Sequence, residues 1–473
     1  MSMERLKTDL LVIGAGSGGL SVAAGAVQMG AKVILLEGGK MGGDCLNYGC
    51  VPSKALLASG KIAHTATVGD KFGIQCDRPE IDYGAAMDHV ADVIAQIAPV
   101  DSQDRFEGLG VRVIREYGRF VGPRDVVAGR YRIRARRIVI ATGSSPVVPP
   151  IPGLETVPYV TNETVWAQRT PPRHLLIVGG GPIGLEMAQA HRRLGSAVTV
   201  IEAGRALPQD DPDLTRVVVD ALRNEGITIA EGATAEEVRK DGDLIEVRAK
   251  DGRLFRGSHL MLAVGRKANL ARLDLDKAGI KASATNIKVD AALKTSNRRV
   301  YAIGDVTGGM QFTHVAGYQA GVVVRSALFG LPAKAKTDHI PYCTYTEPEL
   351  AQVGLTEAQA KEKYETVEVI KSALLHNDRA ITERRTDGFI KLMVVKGRPV
   401  GVSIVGHQAG ELIALWSMVI ANNMKLSQVA SMVAPYPTIA ELNKRAAGTY
   451  FSPRLFESDL VKAIVRFVQR WLP

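Results

Sequence analysis

A pattern of strand, glycine turn and helix occurs twice in this chain, and no other feature constrains the fold so much. TDLLVIGAGSGGL sets Gly14, Gly16 and Gly19 behind one apolar run, and HLLIVGGGPIGLE sets Gly179, Gly181 and Gly184 behind another. Each copy leads to a second apolar strand ending in an acid, Glu37 in AKVILLE and Glu202 in SAVTVIE, 23 residues after the first glycine in both. A single GxGxxG is weak evidence, whereas two with the acid in the same register mark two dinucleotide-binding units. The first glycine permits the tight turn, the second lets the backbone approach a pyrophosphate, and the third lets helix close on strand. The pyrophosphate would rest on unpaired N–H groups at the helix start. Glu37 and Glu202 are placed to accept from ribose hydroxyls. A carboxylate at Glu202 repels a 2'-phosphate and so favours NADH, while Arg205, three residues on, keeps NADPH as the less favoured choice.

A chain of 473 residues is long enough for about three domains. The Pro-rich stretch PVVPPIPG, from Pro146 to Gly153, reads as a linker between the two glycine units. A buried strand in TSNRRVYAIGDVTGG, ending at Gly304 and Asp305, suggests a return to the first unit, and the pattern from about residue 340 is strand-rich and then helical. The expected boundaries are 1–150 with 265–335, then 151–264, then 340–473. The fold class is α/β, two Rossmann-like dinucleotide-binding domains followed by a C-terminal α+β domain.

The net charge of +10 is uneven, with nine arginines between residues 112 and 137 against Glu116 and Asp125. In YRIRARRIVIATG, Arg132, Arg134 and Arg136 alternate with Tyr131, Ile133 and Ala135, the period of a half-exposed strand. This reads as a solvated sheet face, with an acidic docking partner as the sharper alternative. Nothing has the aromatic and basic interleaving of a nucleic-acid platform. No apolar run reaches the ~18 residues of a spanning helix, and the N-terminus lacks the layout of a signal peptide, so a cytoplasmic location is expected.

Of the four cysteines, Cys45 and Cys50 lie five positions apart in GGDCLNYGCVPSKALLASG, at the mouth of a helix marked by Pro52. A helix N-terminus lowers a thiol pKa, as disulfide exchange requires. Lys54 falls on the same helix face as Cys50 and adds positive charge. No second Cys or His pair with ligand spacing accompanies them, so no metal site is expected. Cys76 and Cys343 read as packed residues.

Along nearly its whole length the chain resembles the class I flavoprotein disulfide reductases, the family of dihydrolipoamide dehydrogenase, glutathione reductase and mercuric reductase. The matching motifs are GAGSGG, GGDCLNYGCVPSK, ATGSSP, GGGPIGLE, YAIGDV and TYTEPELAQVGLTE. The resemblance implies a homodimer whose C-terminal domain forms the interface. It implies FAD on the first glycine motif, with Ala141, Thr142, Gly143, Gly304 and Asp305 contributing and Asp305 on the ribityl chain. It also implies NAD(P)H on the second motif, with Gly265 of AVGRKAN contributing. Cys50 would be the charge-transfer thiol next to the flavin, Cys45 the interchange thiol facing substrate, and Lys54 would pair with Glu186 beside the flavin ring.

Most disulfide reductases of this family read HPTxxE near the C-terminus, where this chain has Tyr436, Pro437, Thr438, Ile439, Ala440 and Glu441. Tyrosine thus stands where a histidine, held by the glutamate, would move the proton of the interchange thiol. With a pKa of about 10 it is a poor base at pH 7, so lipoamide turnover should be slow. Mercuric reductase resembles the chain here, but its C-terminal cysteine pair has no counterpart after Cys343, and no metal-capturing domain precedes the first glycine motif. The expected acceptor is a small or protein-bound disulfide or lipoyl group, the alternatives being a metal ion, as in mercuric reductase, or a quinone reached from the membrane surface. The tail supplies the last feature: Leu460, Ile464, Phe467, Val468 and Trp471 form an apolar stripe, with Lys462, Arg466 and Arg470 on another face. This stripe is expected to pack on the dimer body or partner subunit, with weak membrane-surface contact through 459–473 as the alternative.

Overall fold

The computed structural model describes residues 3–471 apart from 76 and 78, so Cys76 lies outside the described residues. The chain divides into two compact units, Met1–Gly204 with Ile227–Lys336, and Arg205–Gly226 with Thr337–Pro473.

In the first unit, the apolar half of β1 (Glu4–Ile13) is buried on both faces, as a central parallel strand requires. It pairs in parallel with β2 (Val33–Leu36) and with a later strand of the same sheet. The other strands are β3 (Arg112–Ile114), β4 (Arg119–Gly122), β5 (Asp125–Ala128) and β6 (Tyr131–Ile140), in the order β3-β2-β1-β6-β5-β4, and strand Val300–Ala302 also pairs with β6. The register sets where the loops leave the sheet. Ile13 lies opposite both Leu36 and Ile140, and Ala302 lies opposite Ile140, so Gly14, Glu37, Ala141 and Gly304 emerge at one end.

A second parallel sheet repeats the device, in the order Thr228–Ala230, Ala197–Ile201, His174–Val178, His259–Leu262. Val178 lies opposite Ile201 and Leu262, which brings Gly179, Glu202 and the Ala263–Gly265 turn to a common end. This is the end at which parallel α/β sheets bind ligands.

Helix α1 (Ser17–Gln28) is rich in small residues and lies close to helix Thr313–Leu328. A Cβ at Gly18 would stand 3.1 Å from both Ala316 Cβ and Ile303 Cδ1. The glycine, costly in a helix by about 1 kcal/mol relative to alanine, permits that approach. On β6 the exposed residues are Arg132, Arg134 and Arg136, with Ile133 and Ala135 buried, as the alternation implied. Arg132 faces Arg5, and Arg134 faces Lys7, across the β1–β6 ladder. Such like-charge pairs are unfavourable, and Asp125, 3.7 Å from Arg132, relieves one of them.

The second unit is built on a five-stranded antiparallel sheet, Pro341–Thr344, Glu349–Gly354, Arg398–Gly406, Phe389–Val395, Glu368–Ala373 in spatial order. Its core centres on Trp416 of helix Ala409–Ala421, whose indole N–H donates to buried Asn443 Oδ1 at 2.8 Å. Cys343 packs at the edge of this core, as a structural cysteine should. Segment Arg205–Gly226 joins this unit through buried Lys391, which meets Asp211 at 2.7 Å, Asp213 at 3.2 Å and the Glu357 carboxylate. Burial alone would lower the pKa of Lys391, and the three carboxylates outweigh it, raising it to about 12. The last helix, Asp459–Trp471, has no buried residue. Its apolar stripe is therefore not packed on the chain that carries it.

Candidate active site

The two glycine turns share one geometry. Gly14 (φ +106°) and Gly179 (φ +115°) have left-handed backbones, and a Cβ on them would lie 2.3 Å from Ala141 O and 2.4 Å from Ala263 O. Gly19 and Gly184 are equally constrained, since a Cβ would come within 1.8 Å of Gly14 O and 2.0 Å of Gly179 O. The middle glycines differ. A Cβ on Gly181 would meet nothing within 4 Å, and one on Gly16 only Gly43 Cα at 4.0 Å. Gly16 and Gly181 cap their helices with nearly the same dihedrals and no side-chain cap, leaving first-turn N–H groups for an anion. Both cradles thus fit a dinucleotide pyrophosphate.

Glu37 and Glu202 also act alike, in a way the sequence pattern did not announce. Glu37 accepts from Ala15 N and Gly39 N, each at 2.7 Å. Glu202 accepts from Gly180 N at 2.6 Å and Gly204 N at 2.8 Å. Each acid clamps its glycine turn to the turn after the next strand, with lone pairs left for ribose.

The cysteines stand on two helices, Cys45 within α2 (Gly43–Asn47) and Cys50 as the first residue of α3 (Cys50–Ala66). Asn47 holds α2 by donating to Met41 O and Gly43 O. Gly42 N donates to Ala15 O at 3.0 Å, and a Cβ on Gly43 would be 2.7 Å from Gly16 Cα, so this segment lies directly on the first cradle. Cys50 Sγ is 3.5 Å from Thr313 Oγ1. The Cys45 thiol, hydrogen-bonded to Cys50, does most to lower the Cys50 pKa, which falls from 9.0 to about 6. Thr313 and the Lys54 ammonium help, while burial and Asp44 oppose. Cys45 is pushed up, chiefly by that same hydrogen bond and by its own burial. Near neutral pH Cys50 is the thiolate and Cys45 the thiol.

Lys54, one turn beyond Cys50, places Nζ 2.7 Å from Glu186 Oε2. Glu186 is nearly buried on helix Pro182–Arg193, which starts at the second cradle, so the pair lies between segments from both cradles. Asp305 accepts from Ser144 Oγ at 2.5 Å, and Ser144 Oγ accepts from Arg266 Nε at 2.8 Å. Arg266 reaches Asp44 at 3.1 Å, beside Cys45. Gly304 N donates to buried Gln319 Oε1 at 2.7 Å, and Thr142 Oγ1 donates to Asn269 O at 3.0 Å. Gly143 (φ +65°) and Gly265 (φ +131°) have open space where a Cβ would stand.

Tyr436 lies in the second unit and is 71% exposed. Its hydroxyl donates to Asp378 Oδ2 at 3.0 Å, which raises the phenol pKa further. Glu441, expected to orient residue 436, instead accepts from Thr438 N at 3.4 Å. The tyrosine's partner is therefore a carboxylate at the start of helix Asp378–Thr382. Thr313 and Asp378 belong to these arrangements with no motif to announce them, and Arg266 stands within AVGRKAN beside Gly265.

Among the described residues no group of three His, Cys, Asp or Glu could hold a metal ion, and no helix is long and apolar enough to cross a membrane. Residues 8–320 match the family model for pyridine nucleotide-disulphide oxidoreductases, and residues 340–447 match the dimerisation domain of the same family. The mercuric reductase of Bacillus cereus is 36% identical over 93% of this chain and 71% of its own length. The dihydrolipoyl dehydrogenase of Bacillus subtilis (strain 168) is 30% identical over 91% of this chain and 96% of its own. Among solved structures, the Cu(II) complex of the HOCl-induced flavoprotein disulfide reductase RclA from Escherichia coli superposes with a TM-score of 0.82 at 28% identity, covering 92% of this chain and 99% of that one. The duplicated cradles, the cysteine pair laid on the first of them and these likenesses agree: the chain belongs to the pyridine nucleotide-disulphide oxidoreductase family, as an NAD(P)H-dependent flavoprotein oxidoreductase.

Proposed function

We propose that the homodimeric protein oxidises NADH, receives the two electrons on the Cys45–Cys50 pair, and passes them from the dithiol to a disulfide or lipoyl acceptor. The observation that carries this reading is the asymmetry of the pair. Cys50 is held as a thiolate by Cys45, Thr313 and Lys54, while Cys45 keeps its proton. Bound FAD would supply the two-electron relay between nicotinamide and thiols. Gly14, Gly16, Gly19, Glu37, Ala141, Thr142, Gly143, Gly304 and Asp305 would hold it, with the Lys54–Glu186 pair beside its ring. Gly179, Gly181, Gly184, Glu202 and Gly265 would hold the nicotinamide nucleotide. NADH is favoured because Glu202 is fixed in its turn, while the Arg205 guanidinium is engaged by the carbonyls of Pro208 and Asp210.

In this reading Cys45 attacks the acceptor disulfide and forms a mixed disulfide, its proton passing to the acceptor thiolate that is released. Cys50 then attacks Cys45, frees the second thiolate and closes the internal disulfide. Each released thiolate takes up a proton. Tyr436, donating to Asp378, can hydrogen-bond a leaving sulfur but cannot serve as a base at neutral pH.

That tyrosine favours a second reading, reduction of a soft metal ion, which leaves no acceptor thiolate to be protonated; the mercuric reductase relatives point the same way. NADH consumption with lipoamide, Hg(II), Cu(II) and a soluble quinone in parallel separates the readings. Turnover with lipoamide that disappears in Cys45→Ser establishes the first. Turnover confined to a metal ion establishes the second, and turnover with quinone alone rejects both.

A further inference from the structure

Helix Asp459–Trp471 is the largest feature that the redox reading leaves unused. Leu460 is 71% exposed, Ile464 53%, Phe467 61% and Trp471 65%. At about 100° per residue, these side chains with Val468 fall on one arc, which Val461 and Val465 widen to roughly 160°. Lys462 and Arg470 stand about 60° beyond its two edges, with Arg466 between them on the far face. Residues 460–471 contain these three cations and no acid. Among the described residues none of the three makes an ion pair, although Arg470 lies over the Trp471 ring at 5.4 Å.

From this arrangement we propose that the helix docks on an anionic membrane surface, lying in the interface plane with its apolar arc among the acyl chains. Charge decides the occupant. Cations flanking both edges of an apolar arc can extend to lipid phosphates while their stems stay in the interface. A stripe buried against protein needs no such flanks. The family's dimerisation domain matches only residues 340–447, so the helix lies outside the module that pairs two copies. Its 13 residues span about 20 Å, too short to cross a hydrocarbon core of about 30 Å but long enough to lie along it. The net charge of +10 acts in the same direction. Each basic residue near an anionic surface strengthens binding about fivefold, so the three together contribute about a hundredfold.

The test is flotation of the full-length holoenzyme with phosphatidylcholine vesicles, with and without phosphatidylglycerol. The expected result is binding only to the phosphatidylglycerol vesicles, released by salt, with a blue shift of tryptophan emission. Lys462→Gln/Arg466→Gln/Arg470→Gln should weaken binding about a hundredfold. Phe467→Ser/Trp471→Ser should abolish it, with NADH oxidation in solution unchanged in both variants. Truncation after Ser458 should remove flotation and leave the dimer mass in light scattering as it was. The proposal is overturned if the full-length protein ignores anionic vesicles, if it binds neutral vesicles equally well, or if truncation dissociates the dimer, which would make a second copy the occupant.

Discussion

Replacing Cys45 by alanine tests the electrostatics of the redox pair most directly. Three groups, Cys45, Thr313 and Lys54 in decreasing order, bring the Cys50 pKa from 9.0 to about 6 against the opposition of burial and Asp44. The net fall is about 3 pH units, so the largest of the three contributions exceeds about 1, and Cys45→Ala should move the midpoint above about 7. The sign follows from a depressed thiol pKa: the thiolate persists above the midpoint and is lost as pH falls through it. At pH 7 Cys50 would go from about nine-tenths thiolate to half or less. A rate at one pH is a poor readout, because nucleophilicity rises as thiol pKa rises and offsets much of the loss. The assay is therefore the pH profile of iodoacetamide alkylation of Cys50 in the reduced protein, read by mass spectrometry with Cys343 as internal reference. Thr313→Ala should shift the midpoint less than Cys45→Ala, Lys54→Met less again, and Asp44→Asn should lower it. A Cys45→Ala midpoint still near 6, or a larger shift from Thr313→Ala, would refute the argument.

Glu202 should give NADH at least about a tenfold advantage in kcat/KM over NADPH, equivalent to about 1.4 kcal/mol, and Glu202→Ala should erode it; a native preference for NADPH contradicts this. In the holoenzyme, Cys45→Ser should show a permanent long-wavelength thiolate-to-flavin band and Cys50→Ser none, so identical spectra from the two variants would reverse the assigned roles. Tyr436→His, with Asp378 in place to accept from it, should raise lipoamide turnover near pH 8, whereas an unchanged rate would show that a missing base is not what limits the site. Lys391→Met leaves Asp211 buried without its cation and should destabilise the second unit by about 3 to 5 kcal/mol in urea, followed by fluorescence. Lys371→Met, which breaks an exposed pair with Asp213, should cost no more than about 1 kcal/mol, and equal effects of the two would sink the distinction.

What the sequence disclosed about this site depends on how locally each requirement is written. Gly14 and Gly179 are legible because a left-handed turn against a neighbouring carbonyl tolerates no side chain, and a few consecutive residues state that demand. The cysteine pair is legible for the same reason, with two thiols and a helix start in one short segment. Thr313 is separated from Cys50 by 263 positions and arrives only because strand Val300–Ala302 pairs beside β6. Nothing distinguishes it from other threonines until that sheet exists. The buried role of Lys391 was hidden likewise, since its carboxylates come from segments far apart in sequence.

Tyr436 shows both sides of this limit. The change of residue is visible in the sequence because the motif around it is contiguous, and that motif offers Glu441, five residues away, as its partner. The partner is instead Asp378, 58 positions earlier, carried in by a short helix whose capping residue, Asn377, accepts from Ala380 N. The difference bears on chemistry. A phenol that already donates to a carboxylate holds its proton more firmly, so the site departs further from base catalysis than the change of residue type alone implied. A disulfide acceptor that turns over well here must therefore take its protons from Cys45 and from water, and its rate should follow the pKa of its leaving thiol more closely than any titration of Tyr436.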